Sequence, residues 1–133
     1  SLRQEILAMR EKLHAGHPNR SDHFDLKHDS GGMVDIEFMT QYLVLAWAYR
    51  YPSLVANVGN IALLGIAARF GLIDASLSDR VAQAYRDLRK RQHELRLEGK
   101  QIARVEPNEI TEPILLARDA VRELWQEVMQ PAL

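Results

Sequence analysis

Lys27 stands four residues ahead of a glycine pair, Gly31-Gly32, and a helix entry carrying two acids, Asp35 and Glu37, follows at once. Those residue types in that order suit an anion. Paired glycines let the backbone take positive φ and approach a ligand closely. A helix start presents free N–H groups and the positive end of a dipole, a setting in which phosphate binds. The lysine adds a point charge, so Lys27, Gly31 and Gly32 are candidates to lie near a nucleotide. The competing reading is structural: a turn that needs two glycines, beside a surface lysine. A Walker loop is excluded, because there the lysine follows the glycines.

Asp35 and Glu37 are two residues apart, so a helix points them to different sides and they do not readily share a metal ion. Each gains about 0.3–1 kcal/mol simply from standing near a helix N-terminus. Glu37, Thr40 and Gln41 form a polar stripe on a helix otherwise built for burial. Buried polar groups need partners, so Asp35, Glu37 and Gln41 are expected to face a polar surface in this chain or in an adjoining domain. His14, His17, His23 and His28 fall within fifteen residues without a recognised ligand spacing. They read as solvated loop histidines, and no metal site is expected.

Between Arg80 and Arg104 there are eight basic residues against three acids. Such a run is commonly a solvated helix face. The sharper reading is an acidic protein partner docking on Arg86, Arg89, Lys90 and Arg91. Nucleic acid is disfavoured, since no aromatics are interleaved for base stacking and the net charge is -1.

The elements that must position these residues are helical. Leu2, Ile6, Leu7, Met9 and Leu13 give helical spacing that stops at Gly16-His17-Pro18, a pattern already running where the chain begins, as though cut from something longer. A polar, irregular stretch leads to the short extended run Phe24-Asp25-Leu26-Lys27 and the glycine turn. The second helix, residues 32–51, ends before Pro52. Its second half, residues 42–49, is apolar on every side, which predicts a buried central helix with Trp47 as a core aromatic. A third helix over 58–70 stops at Gly71. Ser76 with Asp79 resembles a capping box opening a fourth, which runs to about Gly99. Residues 101–112 read as a loop, and Thr111-Glu112-Pro113 opens a fifth helix. No period-2 alternation or internal repeat is visible. The expected fold is an all-α bundle of about five helices in one domain, residues 1–133.

Bulk numbers agree. A chain of 133 residues, 47% hydrophobic and 26% charged, can bury one core. The absence of cysteine excludes disulfides and thiolate metal sites. Residues 51–68 carry no charge, but Pro52, Asn57, Gly59 and Asn60 interrupt them, so a membrane span is not expected. The amphipathic N-terminus lacks a signal-peptide core. The expected location is cytoplasmic.

Asp25-Leu26-Lys27, Gly31-Gly32, Asp35-Ile36-Glu37-Phe38 and Gln41-Tyr42-Leu43-Val44-Leu45 together resemble the segment that follows the catalytic domain in the glutamate–ammonia ligase adenylyltransferases, which adenylylate glutamine synthetase. Looser matches are the AMREKL run at the start and AVRELWQ near the end. The form of the motif is closer to the C-terminal, adenylylating half, and the related PII uridylyltransferases carry a similar glycine pair. The resemblance implies transfer of AMP from ATP, with magnesium, to a tyrosine of glutamine synthetase, reversed in the other half of the enzyme. Glutamine and the PII signalling protein would set the direction. It places the catalytic carboxylates on an upstream G-S-x-x-D-x-D element that nothing in this chain matches. The chain is therefore expected to be the helical C-terminal domain. It would pack on the nucleotidyltransferase domain through residues 27–41, holding no cofactor and being inactive alone. The rival is a non-enzymatic module that docks an acidic partner through the basic fourth helix.

Overall fold

The computed structural model describes residues 1–55 and 58–130. Its five helices are α1 (Leu2–Gly16), α2 (Met33–Trp47), α3 (Asn60–Arg69), α4 (Ala75–Leu97) and α5 (Glu112–Met129). Short 3-10 turns cover Pro52–Val55 and Pro107–Glu109. Asn57, counted above among the interruptions of the uncharged stretch, lies outside the described residues. The expected all-α bundle is what the chain forms. Gly71 and Gly99, at φ +74° and +83°, end α3 and α4 as helix-stop glycines do, and Pro113 sits in the first turn of α5.

Helices α4 and α5 lie along each other, and Val81, Leu88, Val121 and Leu124 between them are fully buried. Helix α2 touches each of the other four helices, so it is central. Its burial is the reverse of the expectation. Met33, Val34, Asp35, Ile36, Met39, Thr40 and Leu43 are buried, whereas Leu45 is 56% exposed, Tyr49 81% exposed, and Trp47 only half-buried. The second half of α2 is apolar all round, but this chain covers one side of it. The helix also ends at Trp47 rather than at residue 51, and a turn carries the chain to Pro52.

Two further differences come from long-range or local polar contacts. The cap of α4 is Asp74, whose carboxylate accepts from the Leu77 N–H at 2.9 Å, rather than Ser76. Residues 101–112 are not wholly loop. β2 (Arg104–Val105) pairs antiparallel with β1 (Phe24–Asp25), Phe24 opposite Val105 and Asp25 opposite Arg104. This two-residue ladder anchors the segment that carries Lys27. Among the described residues no helix is long and apolar enough to cross a membrane.

Candidate functional site

The loop before α2 is polar because its polar side chains tie it down. Asp25, buried at β1, accepts the Lys27 and His28 N–H groups on Oδ1 at 3.0 and 2.9 Å. Asp29 returns the favour, Oδ2 accepting the Asp25 N–H and the Asn19 side-chain amide, both at 2.9 Å. These are Asx-type closures in which a carboxylate stands in for a backbone acceptor. Arg104 donates from Nε to Asp25 Oδ2 at 3.4 Å and from Nη2 to the Pro18 carbonyl at 3.0 Å.

The glycine pair is turned inward. Gly31 takes φ +85°, and a Cβ there would sit 2.6 Å from Arg118 Cγ and 2.9 Å from the Arg118 carbonyl on α5. At Gly32 a Cβ would meet the Leu26 and Asp29 carbonyls at 2.7 and 2.9 Å. Both positions need glycine for close packing. The N–H groups at the helix entry are already used. Gly31 donates to Asp35 Oδ2 at 2.9 Å, Gly32 to the Asp29 carbonyl at 2.8 Å, and Met33 and Val34 to the Leu26 and Lys27 carbonyls at 2.9 Å. An anion at this terminus would have to displace them, so of the three nucleotide-proximal candidates Lys27 alone is exposed.

Asp35 also faces inward. Fully buried, it receives Arg10 Nε and Nη2 from α1 at 2.7 and 2.8 Å, a bidentate pair. The Arg10 guanidinium lies 4.0 Å from the Trp125 ring centre, which brings α5 into the cluster. Asp35 therefore leaves the surface stripe in which the sequence placed it. Thr40 is buried too. It donates to Asn60 Oδ1 at 2.6 Å, and Asn60 reaches the Tyr85 hydroxyl at 3.3 Å, joining α2 to α3 and α4.

What remains outward is Glu37 and Gln41. With Lys27, His17, His28 and Phe38 they line one surface cleft. Partial burial raises the Glu37 carboxyl above its ordinary value, and Lys27 opposes the shift. His17 and His28 are not free loop side chains, since their rings stack 4.0 Å apart at 9°. Burial lowers His28 from its ordinary value, Asp25 opposes, and His17 and Lys27 push it further down. Among the described residues no three His, Asp or Glu side chains converge on a metal site.

On α4, Arg91 is committed to Glu94 and Glu109, at 3.2 and 3.4 Å. Arg86, Arg89 and Lys90 are exposed, and with His93 and Arg96 they border a shallow hollow. Sequence reasoning missed Arg10, Arg96 and Arg104 as site residues. The partners of Arg10 and Arg104 stand far away in the chain, and Arg96 reads as one more cation of a solvated helix face, so no spacing rule singles them out.

The family model described as GlnD PII-uridylyltransferase matches residues 2–112, and the chain belongs to that family. It is 55% identical over 130 residues to the bifunctional glutamine synthetase adenylyltransferase/adenylyl-removing enzyme of Bordetella bronchiseptica, across 98% of this chain and 13% of that protein. The same-named proteins of Aromatoleum aromaticum and Nitrosomonas europaea are 49% and 44% identical, over 99% and 96% of this chain and 14% and 15% of theirs. The chain thus spans about one seventh of the length of these relatives. The resemblance read from residues 24–45 holds across nearly the whole chain, and the non-enzymatic module is not favoured.

Proposed function

We propose that the chain is the helical domain that follows the nucleotidyltransferase domain in the adenylylating half of a glutamine synthetase adenylyltransferase, and that it packs on that domain through α2. The observation that carries the reading is the similarity to those enzymes over nearly the full chain, of which it makes up only a small part. The surface of α2 supports the contact. Glu37, Gln41, Leu45 and Tyr49 follow one another at intervals of four and are all exposed, so they share one side of α2 and the turn after it. The strip is polar beside Lys27 and apolar at its far end, and an apolar strip left bare on a central helix is a surface for another protein surface.

The complete protein would transfer AMP from ATP, with magnesium, to a tyrosine of glutamine synthetase and remove it in its other half. It would act in the cytoplasm, under the control of glutamine and the PII protein. Among the described residues no cluster of acids or histidines would hold a magnesium ion, so no phosphoryl-transfer step is assigned to them. Lys27, at the polar end of the strip, would neutralise nucleotide phosphate from the rim. Arg86, Arg89 and Lys90, exposed on α4, would be open to glutamine synthetase or PII.

Leu45→Glu tests the packing. In the chain alone it should change stability by no more than about 0.5 kcal/mol, as exposed sites do. In the full-length enzyme the buried charge should cut labelled AMP transfer to glutamine synthetase about tenfold or more. Unchanged transfer by the full-length variant would remove α2 from the domain contact. The chain alone should transfer no label.

A further inference from the structure

Lys27 has two sides. Toward α2 it meets Glu37 and Gln41, the face assigned above to the adjoining domain. Toward α4 and β2 it borders a separate cleft of about 290 Å³ in which three cations, Lys27, Arg96 and Arg104, come together beside the His17–His28 stack. One carboxylate, Asp25, lines this cleft. Its oxygens are already taken by the Lys27 and His28 N–H groups and by Arg104. The lining thus carries an excess of two positive charges in a concave site, and Glu37, the acid near Lys27, stands on its other side, outside this lining.

We propose that this cleft binds a phosphoryl dianion, gripped by Lys27, Arg96 and Arg104 against the His17–His28 edge. Arg104 is held in place by Asp25 and the Pro18 carbonyl through Nε and Nη2, and among the described residues its Nη1 has no hydrogen-bond partner. A guanidinium fixed in advance gives up little entropy on binding. Among the described residues the Arg96 and Lys27 side chains make no hydrogen bond or ion pair. The amides of Gln92 and Gln101 border the same space and supply neutral donors. The volume lies at the small end of ligand sites, roughly 300–1,000 Å³, which suits a phosphoryl group with little attached to it. A dianion matches the charge excess; a monocarboxylate would leave half of it unmet.

The histidines tie binding to protons. His28 is faced by Asp25 and Lys27 of its own loop, His17 after α1, Arg96 of α4 and Arg104 of β2, with Glu37 of α2 beyond Lys27. Without a ligand it holds its proton less tightly than an ordinary histidine. A dianion beside it favours the imidazolium, so binding takes up a proton and tightens as pH falls through the histidine range. All these residues belong to this chain. The inference therefore goes beyond the domain-packing reading and stands or falls without it.

The test is proton NMR of the histidine rings in the 133-residue chain, titrated with sodium sulfate at constant ionic strength. Sulfate stays dianionic over the pH range used. Saturable shifts of the His17 and His28 resonances are expected, tighter at about pH 6 than at about pH 8, while His23 outside the cleft stays put. Arg96→Gln should weaken binding about tenfold, the loss of one charge-assisted contact, with the helical circular dichroism unchanged. Inorganic phosphate and AMP separate the sources. A tighter grip on AMP assigns the dianion to a nucleotide, and equal grips assign it to free phosphate. Shifts reproduced by chloride at matched ionic strength, or an Arg96→Gln curve identical to wild type, would overturn the proposal.

Discussion

The two halves of α2 differ in make-up and are used in the opposite way to what that make-up suggests. The first half, entered through Gly31-Gly32, is buried apart from Glu37 and part of Phe38, and its buried set includes two polar residues, Asp35 and Thr40. The second half holds the more continuous apolar run and leaves Leu45 and Tyr49 in the open. Polar residues went inside because each found a partner there: Arg10 and the Gly31 N–H for Asp35, Asn60 for Thr40. Leu45 and Tyr49 stayed outside because nothing among the described residues covers them. Hydrophobic character all round a helix thus does not by itself report how deep the helix sits in its domain.

The locked half can be broken most severely at Asp35. Asp35→Ala removes the acceptor of a bidentate guanidinium whose side chain is only 16% exposed, and strands the Gly31 N–H as well. Breaking one partner of a buried pair costs about 3–5 kcal/mol. The partial exposure of Arg10 argues for the lower end, about 3 kcal/mol. Chemical denaturation of the chain measures it. A loss below about 1 kcal/mol would mean the pair is a surface ornament and the two halves of α2 are less different than their burial implies.

The bare half should respond more gently. A fully buried tryptophan costs about 3–5 kcal/mol when cut to alanine, the value its sequence setting predicts for Trp47. Here Trp47 is half-buried, with Tyr51 tilted against it at 6.3 Å. In the chain alone Trp47→Ala should therefore cost about 1–2 kcal/mol. The contrast sharpens in the full-length enzyme, where a covering domain should raise the cost toward the core value. Equal costs in both settings would count against cover from outside.

Much of this could be read from the sequence, and the reason is local. Gly71, Gly99 and Pro113 act through their own backbone, so the ends of α3 and α4 and the start of α5 were legible without knowing the fold. The glycine turn was legible as a special place, but not its direction. Gly31 is required by Arg118, eighty-seven residues later, and that contact has no signature in the turn itself. Asp35 read as a helix-terminal charge because Arg10 lies twenty-five residues away on another helix. The β1–β2 pair is two residues long on each side, too short for alternation to show. At α4, Asp74 outcompeted Ser76 as cap, and both are cap formers that sequence alone ranks together.

The smallest expected effect concerns the rim of the locked half, where His28 sits between Asp25 and His17. Its folded-state affinity for protons is below the ordinary value of 6.5, chiefly through burial. The unfolded chain therefore binds more protons than the folded one near that value, and stability rises with pH there. The contribution is present above the ordinary histidine value and is lost as pH falls below it. In sulfate-free buffer the thermal midpoint should drop between about pH 7.5 and pH 5.5, and His28→Asn should flatten that drop. Sulfate should flatten it as well, because a bound dianion restores the proton to the folded state. Parallel pH curves for wild type and His28→Asn would show that the stacked pair is indifferent to its charge. The rim would then be as inert to protons as the bare end of α2.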